Sequence, residues 1–308
     1  MAPRIVLVTR HSRLDDLITR FNTIEQARFY IQHLGADFAD YEAEHRTYQQ
    51  ALKTADAALS VYARVQRLDR SFLPNFLFPP DAIVVVLGQD GLVANTLKYL
   101  RGQPVIGVNP DPARWDGMLL PYTADTLAGL LPELLAGHCT QRGVTFARVR
   151  LSDGQELLGV NDLFIGPRTH TSARYEIAWE GRHEAHSSSG VIVSTGLGST
   201  GWFRSLLTGA SGIAGESGDA NFEQLRDHGF AWDAEHLYFT VREPFPSRQS
   251  RTELVFGKVQ RGRPLRIVSQ MAGYGVIFSD GIEADFLEFN AGMTAEIDIA
   301  EQRGCLVA

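Results

Sequence analysis

The chain has 308 residues, 44% of them apolar, a formal net charge of -7 and two cysteines. That length buries a sizeable core and divides most economically into two domains, while the acidic balance excludes the broad basic surface that nucleic acid requires. Cys139 and Cys305 lie in no C-x-x-C pattern, which excludes a disulfide framework or a zinc site and fits a reducing, cytoplasmic setting.

MAPRIVLVTRHS carries one short apolar run quickly broken by charge, and no run approaches membrane-spanning length, so no leader and no membrane partner are expected. Its IVLVT has the β-branched density of a buried strand. Ser12 with Asp15 reads as a capping box opening a helix, and Thr23 with Gln26 repeats the device before a helix that Gly35 stops. Residues Asp40 to Tyr62, rich in Ala, Glu, Gln and Leu, predict a long helix. Ala82 to Gly88 (AIVVVLG) and Pro104 to Asn109 (PVIGVN) are short apolar runs separated by a helix from Leu92 to Leu100. Strands buried on both faces of a parallel sheet read this way. A helix from Thr126 to Ala136 completes an α/β domain over residues 1–137.

Residues 138–308 change texture. FARVRL, ELLGVNDLFIG, YEIAWEG, HLYFTV, ELVFG and LRIVS are strand-length and mostly bounded by DG, EG or RG turns, which predicts a β-rich, antiparallel domain. The last ~30 residues continue in that style and are expected to pack back on the first domain. Thr208 to Asn221, TGASGIAGESGDAN, reads as a mobile loop.

Two turns carry the chemistry. Leu87-Gly88-Gln89-Asp90-Gly91 takes a buried strand into a helix, which places backbone N–H groups and one carboxylate at the carboxyl edge of a parallel sheet, where phosphate sits well. A capped DG turn is the bland alternative. GVIVSTGLGSTGW, from Gly190 to Trp202, contains G-x-G-x-x-G at Gly196, Gly198 and Gly201. A Rossmann unit needs a second strand and an acid about twenty residues on. Glu216 has the distance, but its Gly/Ser-rich surroundings are no strand. The nucleophile elbow G-x-S-x-G fails as well, with Leu197 in place of its first glycine. What remains is VIVST turning through GLGSTG into a helix near Ser199, a second anion-friendly turn offering the hydroxyls of Thr195, Ser199 and Thr200. Two such turns on different domains suggest a cleft.

In order, the G-x-D-G after a strand, GVNP, GVNDLFIG (Gly159 to Gly166), SGVIVSTGLGSTGW and Ser279-Asp280-Gly281 resemble the NAD kinase family, within the diacylglycerol kinase and 6-phosphofructokinase-like group. The resemblance covers roughly residues 80 to 300 and implies an α/β domain with a parallel sheet followed by a β-rich domain. It also implies an ATP- and Mg²⁺-dependent kinase for a small-molecule nucleotide, assembled as a homo-oligomer. ATP could be replaced by another phosphate donor. Asp90 matches the general base, Gly88 and Gly91 the glycines that approach phosphate, and Asn161 with Asp162 the Asn-Glu pair that binds the substrate nucleotide. Gln89, Asn109, Thr195, Gly198, Ser199 and Thr200 fall at phosphate- and nucleotide-binding turns. Ser189, Gly201, Trp202 and Ser205 fall at substrate-binding positions, and no direct protein ligand for the metal is implied.

The departures concern what is bound. Gln89 replaces the family's second glycine, and a left-handed backbone there would cost roughly 1 kcal/mol. Leu92 replaces a threonine, Ser189 an aspartate, Gly201-Trp202 an Ala-Tyr, and DPARWDG replaces the G-x-L-G-F loop, where Trp115 and Asp116 could line an acceptor pocket. An acceptor other than NAD (a nucleoside, sugar or lipid alcohol) and a non-catalytic nucleotide sensor are therefore alternatives. His11 with Arg10 and Arg13 is a weaker phosphate candidate. His183 and His186, at the end of a hairpin, are expected on one face with no third ligand in sight, the pattern of a solvated turn.

Overall fold

The computed structural model describes residues 4–215, 219–282 and 285–308. The chain forms two compact units, Met1–Arg142 with Cys305–Ala308, and Gly143–Gly304. In the first, β1 (Arg4–Thr9), β2 (Val65–Asp69), β3 (Ala82–Leu87), β4 (Pro104–Asn109) and β5 (Tyr122–Thr123) are joined by helices α1 (Arg13–Phe21), α2 (Ile24–His33), α3 (Phe38–Ser60), α4 (Asp90–Leu97) and α5 (Leu127–Leu135). The sheet order is β2-β1-β3-β4, all parallel, with β5 and the chain end at Cys305 and Leu306 also parallel to β4. Six consecutive buried residues in β3 follow from its central place, since a strand covered on both faces needs no polar alternation. β2 was not legible: VQRLD is an edge strand with one neighbour, and only Leu68 of its side chains is buried.

Local signals placed the helices. Ser12 and Asp15 form the full capping box at α1, and Thr23 accepts the Gln26 N–H at α2. α4 begins at Asp90, two residues before the expected Leu92, because extended Gln89 serves as its N-cap (φ -121°, ψ 162°). Among the described residues no helix is long and apolar enough to cross a membrane.

The second unit contains β6 (Gln141–Leu151), β7 (Glu156–Gly159), β8 (Asp162–Pro167), β9 (Ala173–Trp179), β10 (Arg182–Ser188), β11 (Val191–Ser194), β12 (His236–Val241), β13 (Phe256–Gln260), β14 (Leu265–Ser269), β15 (Gly275–Ser279), β16 (Phe286–Glu288) and β17 (Thr294–Val307), the outer ends of β6 and β17 belonging to the first unit. One antiparallel sheet runs β13-β12-β11-β8-β15-β16, and β10-β9-β14-β17 runs antiparallel in another, with β6 beside β17. Leu163, Ile165, Val193 and Phe239 of the first share a core with Tyr175, Ile177, Ile267 and Ile297 of the second. The other face of the β8 sheet, with Phe164, Ile192 and Val276, is covered by Trp202 and Leu206 of α6 (Trp202–Ala214).

Three expectations are corrected here. Thr208–Ala214 is helical, and α7 (Ala220–His228) follows once Asp219 caps it through the N–H groups of Asn221 and Phe222, so most of the supposed loop is helix; Glu216 lies outside the described residues. His183 and His186 occupy opposite faces of β10, because side chains three apart in a strand alternate. His183 is exposed, whereas buried His186 bonds Glu184 at 3.1 Å.

Candidate functional site

In the first unit, the end of β3 meets the start of α4 at the sheet's carboxyl edge. The Gly88 N–H donates to the Val108 carbonyl at 3.2 Å, tying this turn to β4. A Cβ on Gly88 would come within 2.8 Å of the terminal methyl of the Leu92 side chain, the far end of a flexible group, with other atoms at 3.6 Å or more. Gly91 differs: its φ is not positive, nothing lies within 4 Å of an added Cβ, and it is exposed. Glycine in a first helical turn with no local reason leaves backbone open to a close-approaching group. Gln89 is extended, so the left-handed strain weighed against it does not arise.

Half-buried Asp90 accepts the Leu119 N–H on Oδ1 at 2.7 Å, which fixes its rotamer. Leu119 closes a loop built by Asn109, whose amide donates to the Trp115 carbonyl (2.9 Å) and whose Oδ1 accepts the Asp111 N–H (3.0 Å). Asn109 thus shapes the loop with both ends of its side chain. Trp115 is half-buried and Asp116 exposed on it. Arg114 anchors the loop to α3 through two hydrogen bonds to Asp40, at 2.6 and 3.1 Å. Hydrogen bonds from Arg114 and Arg13 hold the Asp40 carboxyl well below the usual range. An open groove of about 1280 Å³ borders Asn109 and Pro110 at the end of β4, with His45, Arg46 and Lys53 of α3 along it.

The cations after β1 are already matched. Arg10 bonds Glu44 at 3.1 Å, Arg13 bonds both Glu44 and Asp40, and His11 sits 3.5 Å from Asp16 and 3.9 Å from Asp69. Burial pushes the Glu44 carboxyl up, and the Arg13 and Arg10 hydrogen bonds more than offset it, leaving it below its ordinary value. Arg10 and Glu44 thus form a buried pair, while Arg13 is half-buried and His11 exposed.

In the second unit, the sequence-derived residues are close-packed. A Cβ on Gly198 would lie 2.0 Å from the Asn161 carbonyl oxygen, and one on Gly196 1.9 Å from that of Ala231. Gly196 and Gly198 of GLGSTG are therefore required where backbone meets backbone, whereas Gly201 has room for a side chain. Thr195 Oγ1 donates to the Val160 carbonyl (2.5 Å) and accepts the Gly198 N–H (3.2 Å); Ser199 Oγ donates to Gly196 (2.7 Å) and accepts the Phe230 N–H (3.1 Å). Both hydroxyls are fully buried, so of the three expected to face an anion only that of exposed Thr200 is open.

Asp280 was quoted in the sequence only as part of a turn. In the left-handed region (φ 57°), it accepts the N–H groups of Val160, Asn161 and Asp162, the shortest from Asn161 at 2.6 Å. It thereby orients the Asn161-Asp162 pair. Asp162 is 7% exposed with Oδ1 unpartnered, and burial, then the neighbouring Asp280 charge, pushes its carboxyl up to about 7. The Ser189 N–H donates to the Arg242 carbonyl at 2.9 Å. Exposed Ser205 donates to the Trp202 carbonyl at 2.6 Å, and Gly201 is exposed at the start of α6. Trp202 stacks on Phe164, ring centroids 5.7 Å apart.

A parallel α/β unit and an antiparallel β unit in one chain have counterparts among solved structures. Over 99% of this chain and 93% of the other, it matches an NAD kinase from Archaeoglobus fulgidus in complex with ATP, with TM-score 0.56 and 16% identity. Over 100% of this chain and 84% of the other, it matches yeast NADH kinase complexed with NADH, with TM-score 0.58 and 14% identity. The chain has an NAD kinase-like fold, in a divergent sequence. No protein-family model and no curated protein sequence matches it.

Proposed function

We propose that this protein is a phosphotransferase that moves a phosphoryl group from ATP to a hydroxyl of NAD or a related nucleotide, with Asp90 as general base. The observation that carries the reading is the placement of Asp90 at the first position of α4, one oxygen fixed by Leu119 and the other without a hydrogen bond among the described residues. Likeness of fold to kinases solved with ATP and with NADH supports it.

The residues suit a phosphate donor: the open backbone at Gly91 and the α4 N-terminus accept negative charge. Mg²⁺ in this reading arrives on the phosphates, as it commonly does. MgATP, when bound, supplies the phosphoryl group with its charge partly neutralised. Asp90 holds and deprotonates the acceptor hydroxyl. In the second unit, Asp280 fixes the backbone that presents the Asp162 carboxyl, whose burial keeps it partly protonated near neutrality. Asn109 and Arg114 position Asp90 through the loop.

An acceptor other than NAD is the second reading. The engagement of Trp202 with Phe164 and Arg242, where the family has Tyr, favours it.

Purified protein with ATP and Mg²⁺ against NAD, NADH, nucleosides, sugars and lipid alcohols is expected to transfer phosphate, and Asp90→Asn to slow transfer by about 10²- to 10⁴-fold. An unchanged rate in Asp90→Asn removes Asp90 from the chemistry. Tight nucleotide binding with no transfer to any acceptor would make the protein a sensor.

A further inference from the structure

From hydrogen bonds wholly within the first unit we infer that one stripe of α3, made of Asp40, Glu44 and Tyr48, positions the turn that carries Asp90. That role rests on Asp90 being the base proposed above and names what sets its place. The motif resemblance begins near residue 80, so no motif assigns these three side chains a part. Spacing puts them on one face, because residues four apart in a helix lie above one another. From Asp40 to Tyr48 the helix rises ~12 Å. Neighbouring strands lie ~4.8 Å apart, and β1, β3 and β4 are neighbours in that order, so one helix face reaches from the ends of β1 and β3 to the loop beyond β4.

At one end of the stripe, the Tyr48 hydroxyl accepts the Arg10 N–H at 2.9 Å, just past β1, and donates to the Leu87 carbonyl at 3.4 Å. Leu87 ends β3, two residues before Gln89, the N-cap of α4. At the other end, Asp40 receives Arg114 at 2.6 and 3.1 Å and Arg13 at 2.6 Å. Arg114 belongs to the loop whose Leu119 N–H donates to Asp90 Oδ1 at 2.7 Å. Glu44 joins the two ends, accepting from Arg10 at 3.1 Å and from Arg13. Both the strand that leads into the Asp90 turn and the loop that grips its side chain are thus tied to one helix face.

Stability alone does not explain such a stripe. Glu44 is 3% exposed, Tyr48 2% and Arg10 9%, and well-packed apolar side chains in place of a buried ion pair are often as stable or more so. What the polar set adds is direction, since hydrogen bonds are directional and apolar contacts are not. A reacting carboxylate needs that, because small displacements cost rate.

The Asp40 side chain is 44% exposed, so its substitution tests the stripe without risk to the core. In the full chain, amide hydrogen exchange at Leu119 is expected to quicken about tenfold in Asp40→Asn. With MgATP and NAD, kcat should fall about tenfold and KM change by less than about twofold. Asp40→Glu should recover part of both losses. Tyr48→Phe, which removes one oxygen, should lower kcat about 3- to 10-fold with circular dichroism unchanged. Glu42→Gln breaks the pair with Arg28 on another side of α3 and should change neither reading. In an Asp90→Asn background, Asp40→Asn should cost nothing further, because its effect passes through Asp90. Exchange at Leu119 that ignores Asp40→Asn overturns the assignment whether or not the protein transfers phosphate. Losses that multiply in the double variant overturn it too and leave the kinase reading intact. Asp90→Asn protein as fast as wild type sinks the proposed base, and with it any catalytic part for the stripe, even where exchange at Leu119 responds to Asp40.

Discussion

Asp162 shows how one side chain's surroundings change its chemistry. Its carboxyl, ordinarily at 3.8, is pushed to about 7 by burial and by Asp280. From about pH 4 to about pH 7 the folded chain keeps a proton there that the unfolded chain has released, so stability falls as pH rises through that window and levels off above it. Asp162→Asn should flatten this slope and stabilise the protein above pH 7 by on the order of 1–4 kcal/mol, read from urea midpoints at pH 5 and pH 8. Gly198 makes the opposite case, where the missing side chain matters. Gly198→Ala sets a methyl 2.0 Å from the Asn161 oxygen and should destabilise by about 1–3 kcal/mol or more in the same assay. The sequence flagged both residues, yet for neither did it reveal the partner. Asp280 is 118 positions from Asp162, and that separation makes such a contact invisible to local pattern.

Strands and helices were the most legible scale. The apolar runs of β1, β3 and β4 and the capping residues of α1 and α2 act within a few residues, so their physics is local. β2 and α7 escaped because an edge strand needs little apolar surface and because Asp219 caps a helix with no fully buried residue. The Asn109–Leu119 loop was recognised as divergent, with Trp115 and Asp116 as candidates for an acceptor pocket, but not as a support for Asp90. The hydrogen bonds of Asn109, Leu119 and Arg114 make it the element that holds Asp90. Arg114→Ala should loosen it and, in the proposed reaction, lower kcat about tenfold or more with a smaller change in KM, because a misplaced reacting group loses rate before affinity. Arg114→Lys should restore only part of the rate, lacking the bidentate fork. A kcat equal to wild type in Arg114→Ala would detach the loop from catalysis.

At the scale of the whole molecule, each unit has its own core: Ile5, Leu7, Val85 and Ile106 with α3 and α5 in the first, and the two facing sheets in the second. Phe239 is fully buried in the latter, edge-on to Trp179 at 5.5 Å, and Gly257 leaves it room. Phe239→Ala should cost about 3–5 kcal/mol, measured by denaturant unfolding. By itself the sequence determined the α/β-then-β order, the strand and helix types, the turn carrying Asp90, and the family its motifs resemble, because periodicity, caps and glycines act over short distances. The tertiary structure decided which polar groups remain open to a ligand. It turned the Thr195 and Ser199 hydroxyls inward, matched Arg10 and Arg13 to carboxylates, and set Asp280 behind Asp162. Burial and hydrogen-bond partners come from residues far apart in the chain, and only folding brings those together.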